Sequence, residues 1–179
     1  MSYYIERGDG VEIVIAKKSD AKSIMEMIDA CKVDMMKRNI DQWNPYYPNI
    51  EIVEEDIEEN ALYVIKDREI SIAVISFNEK QDTEYEQMEW KITEGKFLVI
   101  HRLAVHPSYQ SKGIARKLME FGEQLAQLNN YTAIRMDAYS GNDRALLLYE
   151  SMGYNRIGIV NFPLRSKHFY CFEKKVTVT

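Results

Sequence analysis

Residues 97–138 constrain the fold more tightly than any other stretch. Phe97 to Val105 reads as a strand, and His106-Pro107 stops it, because proline lacks the backbone donor that a ladder needs. Ile114, Leu118, Phe121, Leu125 and Leu128 then recur at steps of four, three, four and three, the apolar stripe of an amphipathic helix of about four turns. Ala133 to Ala138 is a second strand. Strand, helix and strand in that order make a β-α-β unit with parallel strands and a right-handed crossover.

The flanking segments add elements to the same sheet. Val11 to Ala16 alternates as a short strand, and Ser19 or Asp20 is placed to cap a helix whose apolar positions are Ile24, Ile28, Cys31 and Met35, ending near Arg38. Asp41 to Asn49 is an aromatic loop carrying Trp43, Tyr46 and Tyr47, and Ile52 to Asn60 forms a short acidic helix. Leu62 to Lys66 and Ile70 to Phe77 are strands, whereas the polar stretch Glu79 to Trp90 has no period and reads as an excursion or hairpin tip. After the β-α-β unit come a helix from Asn142 to Met152, ended by a left-handed cap at Gly153, and strands at Tyr154 to Val160 and Phe169 to Val176. The expected architecture is one α/β domain over residues 1–179: a mixed, mostly antiparallel, twisted sheet of six or seven strands with helices on both faces.

Composition narrows the function. With 179 residues, 46% apolar and 28% charged, and only 8 glycines and 4 prolines, the chain reads as a soluble globular protein and not a disordered or repetitive one. No unbroken apolar run exceeds five residues, as in Ala145 to Tyr149, so no membrane span is expected. The first residues lack the basic and apolar blocks of a secretory signal, and a cytoplasmic location is expected. Cys31 and Cys171 are isolated, and His101, His106 and His168 have no metal-ligand spacing, so neither a disulfide framework nor a metal site is expected. A net charge of −5 disfavours a surface devoted to nucleic acid but allows a local basic patch.

Such a patch opens the central helix. Gln110-Ser111-Lys112-Gly113-Ile114-Ala115-Arg116-Lys117 holds three cations and no acid. Gly113 permits a tight turn and the small Ala115 allows close approach to the amides, so free N–H groups and the positive end of the helix dipole make a seat for an anion. A solvated first turn would carry similar charge. The turn has neither the GK[ST] ending of a P-loop nor a GxGxxG, so nucleotide hydrolysis and NAD binding do not follow.

Leu103-Ala104-Val105-His106-Pro107, followed by Gln110-x-x-Gly113-Ile114-Ala115, resembles the acyl-CoA signature Q/R-x-x-G-x-G/A of the GNAT family, the GCN5-related N-acetyltransferases. Asn142 to Tyr154, which includes Tyr149 and Gly153, resembles the family's second coenzyme-contacting region. The resemblance runs clearly from about Phe97 to Tyr154. It implies that backbone groups of Leu103, Ala104 and Val105 pair with the pantetheine arm of acetyl-CoA where that strand parts from Ala133 to Ala138. It also implies that the amides of Gln110, Ser111, Lys112, Gly113, Ile114, Ala115 and Arg116 hold the pyrophosphate, that Asn142 contacts the arm, and that Tyr149 stands near the thioester sulfur.

The chemistry needs two proton-handling groups. An alkyl amine of pKa near 10.4 is only about 0.04% neutral at pH 7, a deficit of roughly 4 to 5 kcal/mol, so a base or a water chain must assist. His101, which alternation puts on the face of Leu103 and Val105, is the candidate base; a structural histidine, or a water chain ending at another carboxylate, would serve the sequence equally well. Tyr149 is the candidate acid for a thiolate of pKa about 8.5, with a small mismatch if its phenol sits near 10. Packing alone would also explain Tyr149, and helix capping would explain Asn142. His106 is expected to be a turn residue. The aromatic loop leans toward a small-molecule amine as acceptor. A protein lysine or N-terminal amine, or a coenzyme-binding sensor without turnover, are the alternatives, and a homodimer is compatible with the family.

Overall fold

The structure, a computed structural model, describes residues 12–177. Seven strands form one sheet in the order β1-β2-β3-β4-β5-β7-β6. They are β1 (Ile13–Ile15), β2 (Leu62–Asp67), β3 (Ile70–Asn78), β4 (Phe97–Val105), β5 (Ala133–Tyr139), β6 (Asn155–Val160) and β7 (Phe169–Lys175). Val11, the expected first residue of β1, lies outside the described residues. Pairing is antiparallel between β1 and β2, β2 and β3, β5 and β7, and β6 and β7, and parallel between β4 and β5. The four α-helices among the described residues are α1 (Ala21–Lys37), α2 (Ile50–Glu58), α3 (Ile114–Leu128) and α4 (Asp143–Ser151).

The chain divides into two compact units. The first comprises residues up to Arg38, Trp43–Ser76 and Arg102–Leu118. Here Ile24, Met27, Ile28 and Cys31 of α1, Val53 and Ile57 of α2, and Val64, Ile65, Ile72 and Val74 of the strands are buried, and α1 packs on α2. Full burial of each such side chain contributes about 1.5–3 kcal/mol. Asp20 does not cap α1 in the expected way. It accepts from the Lys17 amide at 2.9 Å and pairs with Lys66, while a single 3-10 turn (Lys18–Asp20) leads into the helix. The α2 helix begins two residues earlier than expected because Asn49 caps it, its Oδ1 accepting from the Ile52 amide at 3.1 Å.

The second unit comprises Asn39–Gln42, Phe77–His101 and residues from Met119 onward. Its core gathers Leu98, Val99, Met119, Phe121, Ile134, Met136 and Phe172, with the Phe77 and Phe121 rings 6.0 Å apart. Gly153 adopts φ +82, the left-handed cap expected there.

The stretch after β3 is an ordered excursion with a 3-10 turn over Thr83–Gln87, and a buried ion pair holds it. Arg135 donates to Gln81 Oε1 (2.7 Å), the Ile92 carbonyl (2.6 Å) and Glu173 Oε1 (3.3 Å), between the rings of Trp90 and Phe97. Glu173 Oε2 accepts from the amides of Lys91 and Ile92. A charged pair is tolerable at this depth because each guanidinium nitrogen donates once and both carboxylate oxygens accept.

Candidate functional site

In the first unit, β4 ends in a built turn. Val105 is followed by a 3-10 turn at Pro107–Tyr109, and α3 does not begin until Ile114. His106 serves the turn as expected, its Nδ1 accepting from the Ser108 amide. Ser111 (φ +62) and Gly113 (φ +77) are both left-handed, which turns successive amides outward; a Cβ at Gly113 would meet nothing within 4 Å. The backbone N–H groups of Ser111, Lys112, Gly113, Ile114 and Ala115 have no protein acceptor among the described residues. Lys112, exposed, lies over the Tyr109 ring at 5.0 Å, and Tyr109 donates to Asp67 at 2.7 Å, so the turn is braced from below. Outward amides, an open glycine and a helix start without acidic residues make a seat complementary to a diphosphate.

Gln110 acts differently from its neighbours. Its side-chain amide donates to the Val105 carbonyl at 3.1 Å, and the Cys31 thiol reaches the same oxygen at 3.3 Å, so this residue ties turn to strand. Leu103 is partly exposed, whereas Ala104 and Val105 are buried. Arg102 takes φ +52 inside β4, a region that non-glycine residues visit rarely and at a cost. Its guanidinium is clamped by both Asp56 oxygens at 2.6 Å. That residue interrupts the strand's alternation, so the expected single face for His101, Leu103 and Val105 does not run through it.

The second unit holds His101, Asn142 and Tyr149. His101 Nε2 lies 3.0 Å from Asn78 Oδ1 and 3.2 Å from the Lys80 carbonyl. Asn78 Oδ1 also accepts from the Lys80 amide, so both neighbours are acceptors, Nε2 carries the proton, and only Nδ1 can act as a base. Asn142 holds Gln42 through Nδ2 at 2.8 Å and caps α4 through a long 3.4 Å contact to the Ala145 amide. Tyr149 is buried, its ring 5.7 Å from Phe172 and 6.3 Å from Tyr154, and its hydroxyl has no protein hydrogen-bond partner among the described residues. Burial, then the charge of Asp137, push this phenol well above the ordinary tyrosine value. The expected small mismatch with a thiolate is therefore larger: Tyr149 keeps its proton at neutral pH, and its hydroxyl is available as a hydrogen-bond donor.

Asp137 and Tyr85 form a site that the sequence reading missed. Asp137, on β5, accepts the Tyr85 hydroxyl on Oδ2 at 2.7 Å; Tyr85 is buried, while Asp137 is partly exposed and its Oδ1 has no protein partner among the described residues. Burial raises Asp137 to about 7, with Asp82 and Glu84 adding to the rise and Tyr85 opposing it. An acid in the middle of an apolar strand was a visible signal; its partner sits in a segment without periodicity. Among the described residues no cluster of His, Cys, Asp or Glu is arranged to hold a metal, and no helix is long and apolar enough to cross a membrane.

The β4–β5 ladder also carries the expected parting. Phe97, Leu98 and Val99 pair with Ala133, Ile134 and Arg135, and the pairing stops there although both strands continue.

Comparison with known proteins agrees with this geometry. A B. subtilis (strain 168) protein described as the uncharacterized N-acetyltransferase YesJ is 24% identical over 173 residues, covering 94% of this chain and 92% of its own. A GNAT-family acetyltransferase structure from Streptococcus agalactiae superposes with a TM-score of 0.81 at 18% identity, covering 100% of both chains. The NatC complex bound to Gag peptide and CoA contains a chain that matches with a TM-score of 0.70 at 22% identity, over 93% of this chain and 99% of that one. The sequence model described as "Acetyltransferase (GNAT) family" matches residues 23–154. With three-quarters of its length inside that match and its fold reproduced throughout, this chain belongs to the GNAT acetyltransferase family.

Proposed function

We propose that the protein moves an acetyl group from acetyl-CoA to the primary amine of a small molecule, by direct attack in a ternary complex, with residues 1–179 acting as one acetyltransferase domain in the cytoplasm. The observation that carries this reading is the turn into α3, where the amides of Ser111–Ala115 have no acceptor among the described residues and the open Gly113 suits the coenzyme's pyrophosphate. Lys112 and Arg116 would add charge to that grip, and the parted end of β4 (Leu103, Ala104, Val105) would receive the pantetheine arm, with Asn142 contacting it. Tyr149 would steady and protonate the leaving thiolate, and His101, through Nδ1 or a water, would help to deprotonate the amine.

Calorimetry with CoA, followed by assays of acetyl-CoA-dependent thiol release across amines, polyamines, amino acids and peptides, tests the proposal. Coenzyme binding with release on small amines is the expected result; no heat with CoA removes it. Tyr149→Phe should lower turnover by about 10²-fold or more while coenzyme affinity changes little. A peptide N-terminus is the second reading, favoured by local similarity to the N-alpha-acetyltransferase RimI of Mycobacterium tuberculosis, 33% identical over 60 residues, 34% of this chain and 36% of that one. Release on peptides but on no small amine would select it.

A further inference from the structure

The residues that carry the inference all lie in the second unit. Phe97 faces Ala133 and Val99 faces Arg135 across the parallel ladder. Alternation therefore continues one face through His101 on β4 and Asp137 on β5. The contact of the Arg135 guanidinium with the Phe97 ring at 3.7 Å confirms that these odd-numbered residues share a side. Two proton-exchanging side chains thus stand at the same level of neighbouring strands, beyond the last paired residues. Of the two, His101 has its Nε2 proton committed to Asn78 and Lys80, whereas Asp137 presents an oxygen without a protein partner and anchors the other on Tyr85.

We propose that Asp137, oriented by Tyr85, takes the proton that the acceptor amine gives up. This rests on the acetyl-transfer reading and supplies the carboxylate on which its proton path ends. As the C–N bond forms and the C–S bond breaks, the ammonium nitrogen loses two protons. One is held at Asp137, directly or through water, and passes to solvent; the other ends on the coenzyme sulfur by way of Tyr149. Tyr85 is a positioning residue, brought there by the 79–96 excursion: its carbonyl accepts from the Trp90 indole at 3.1 Å, and Trp90 stacks on the buried Arg135.

The groups facing Asp137 set its range. Asp82 and Glu84 from the excursion are negative, Cys171 opposite on β7 is a thiol pushed up to about 12 by burial and so uncharged, and Arg135 and Glu173 compensate each other. Burial and the two acids bring Asp137 to about 7, so a large share is carboxylate under neutral conditions and can accept a proton. The negative charge on Asp137 is one cause of the raised Tyr149 phenol. A proton arriving at Asp137 removes that charge, so deprotonation of the amine makes Tyr149 a better donor to the thiolate.

The test is the pH dependence of kcat/KM for the full chain with an alkyl amine that the assay identifies. With the ammonium form and the Asp137 carboxylate as the reacting species, the logarithm should rise below pH 7 with slope one, from Asp137, and level off above it until the amine itself loses its proton. Asp137→Asn, which keeps an acceptor for Tyr85, should abolish the break and lower kcat/KM by about 10²- to 10⁴-fold at pH 8. Tyr85→Phe removes a bond that stabilises the carboxylate, so the break should move to higher pH, with activity recovering above it; a merely structural defect would not recover. Carbon-13 carboxyl NMR should show one aspartate titrating near 7 that is missing in Asp137→Asn. A break that survives in Asp137→Asn, or that vanishes in His101→Asn instead, overturns the assignment while acetyl transfer stands. No transfer to any amine by a coenzyme-binding protein removes both.

Discussion

Asp137 should impose a stability cost that depends on pH. In the unfolded chain its carboxyl titrates near 3.9, whereas in the fold it titrates at about 7, so the native state binds its proton more tightly. Its contribution is therefore fully present below pH 4 and is lost as pH rises through 7. Asp137→Asn cannot ionise and escapes that loss. The variant should match the wild type at pH 4 and exceed it at pH 8 by at least about 1 kcal/mol, roughly 2–4 °C in Tm. Thermal unfolding at the two pH values decides the matter, and an equal difference at both would show that Asp137 does not titrate as the structure implies. A residue that destabilises the fold under neutral conditions is the pattern expected of a functional group rather than a structural one. Tyr149 follows the same logic: packing onto Phe172 accounts for its ring, and among the described residues no partner accounts for its hydroxyl.

The 79–96 excursion is tied to the sheet by the buried Arg135–Glu173 pair. Replacing Glu173 with Gln leaves the Arg135 guanidinium buried against a neutral partner, and losing one member of such a pair costs about 3–5 kcal/mol. Because Glu173 also accepts from the amides of Lys91 and Ile92, the loss should fall first on that segment. Hydrogen exchange in Glu173→Gln should accelerate over residues 79–96 well before the β5–β7 ladder; uniform acceleration would mean that the pair supports the whole unit instead. This element also shows where sequence reading stopped. The β-α-β unit, the α3 turn and the Gly153 cap were legible because periodicity, a proline stop and a left-handed glycine are local signals. Glu79 to Trp90 has no period, and the segment it opens is ordered by Arg135 and Glu173, whose bonds to it span at least 43 positions. Asp137 was missed for the same reason, since its partner Tyr85 is 52 positions away. The bulge-like conformation at Arg102 was equally hidden: arginine carries no local preference for positive φ, and the Asp56 carboxylate on α2 holds it there.

At the scale of the whole molecule, a chain of net charge −5 has to bind a polyanionic coenzyme. Long-range repulsion and local attraction then respond differently to salt. The repulsion acts over distances beyond the Debye length, about 10 Å at 0.1 M, and is largely screened there, whereas the contacts proposed for Lys112, Arg116 and the outward amides would act within a few ångströms and survive better. On the proposed seat, raising ionic strength from about 0.01 to 0.1 M, where that length falls from about 30 to 10 Å, should therefore weaken coenzyme affinity less than for a site made of lysines alone, because uncharged backbone amides would supply much of the grip. Lys112→Gln separates the two contributions. It should reduce affinity several-fold at low salt and by a smaller factor at 0.5 M, where the lysine's charge is screened but the amides still bind. Calorimetric titration of both proteins at each salt concentration measures this directly. If wild type and variant converge only because both have lost binding entirely at 0.5 M, charge and not the turn's backbone holds the coenzyme, and the seat at Ser111–Ala115 is not the site.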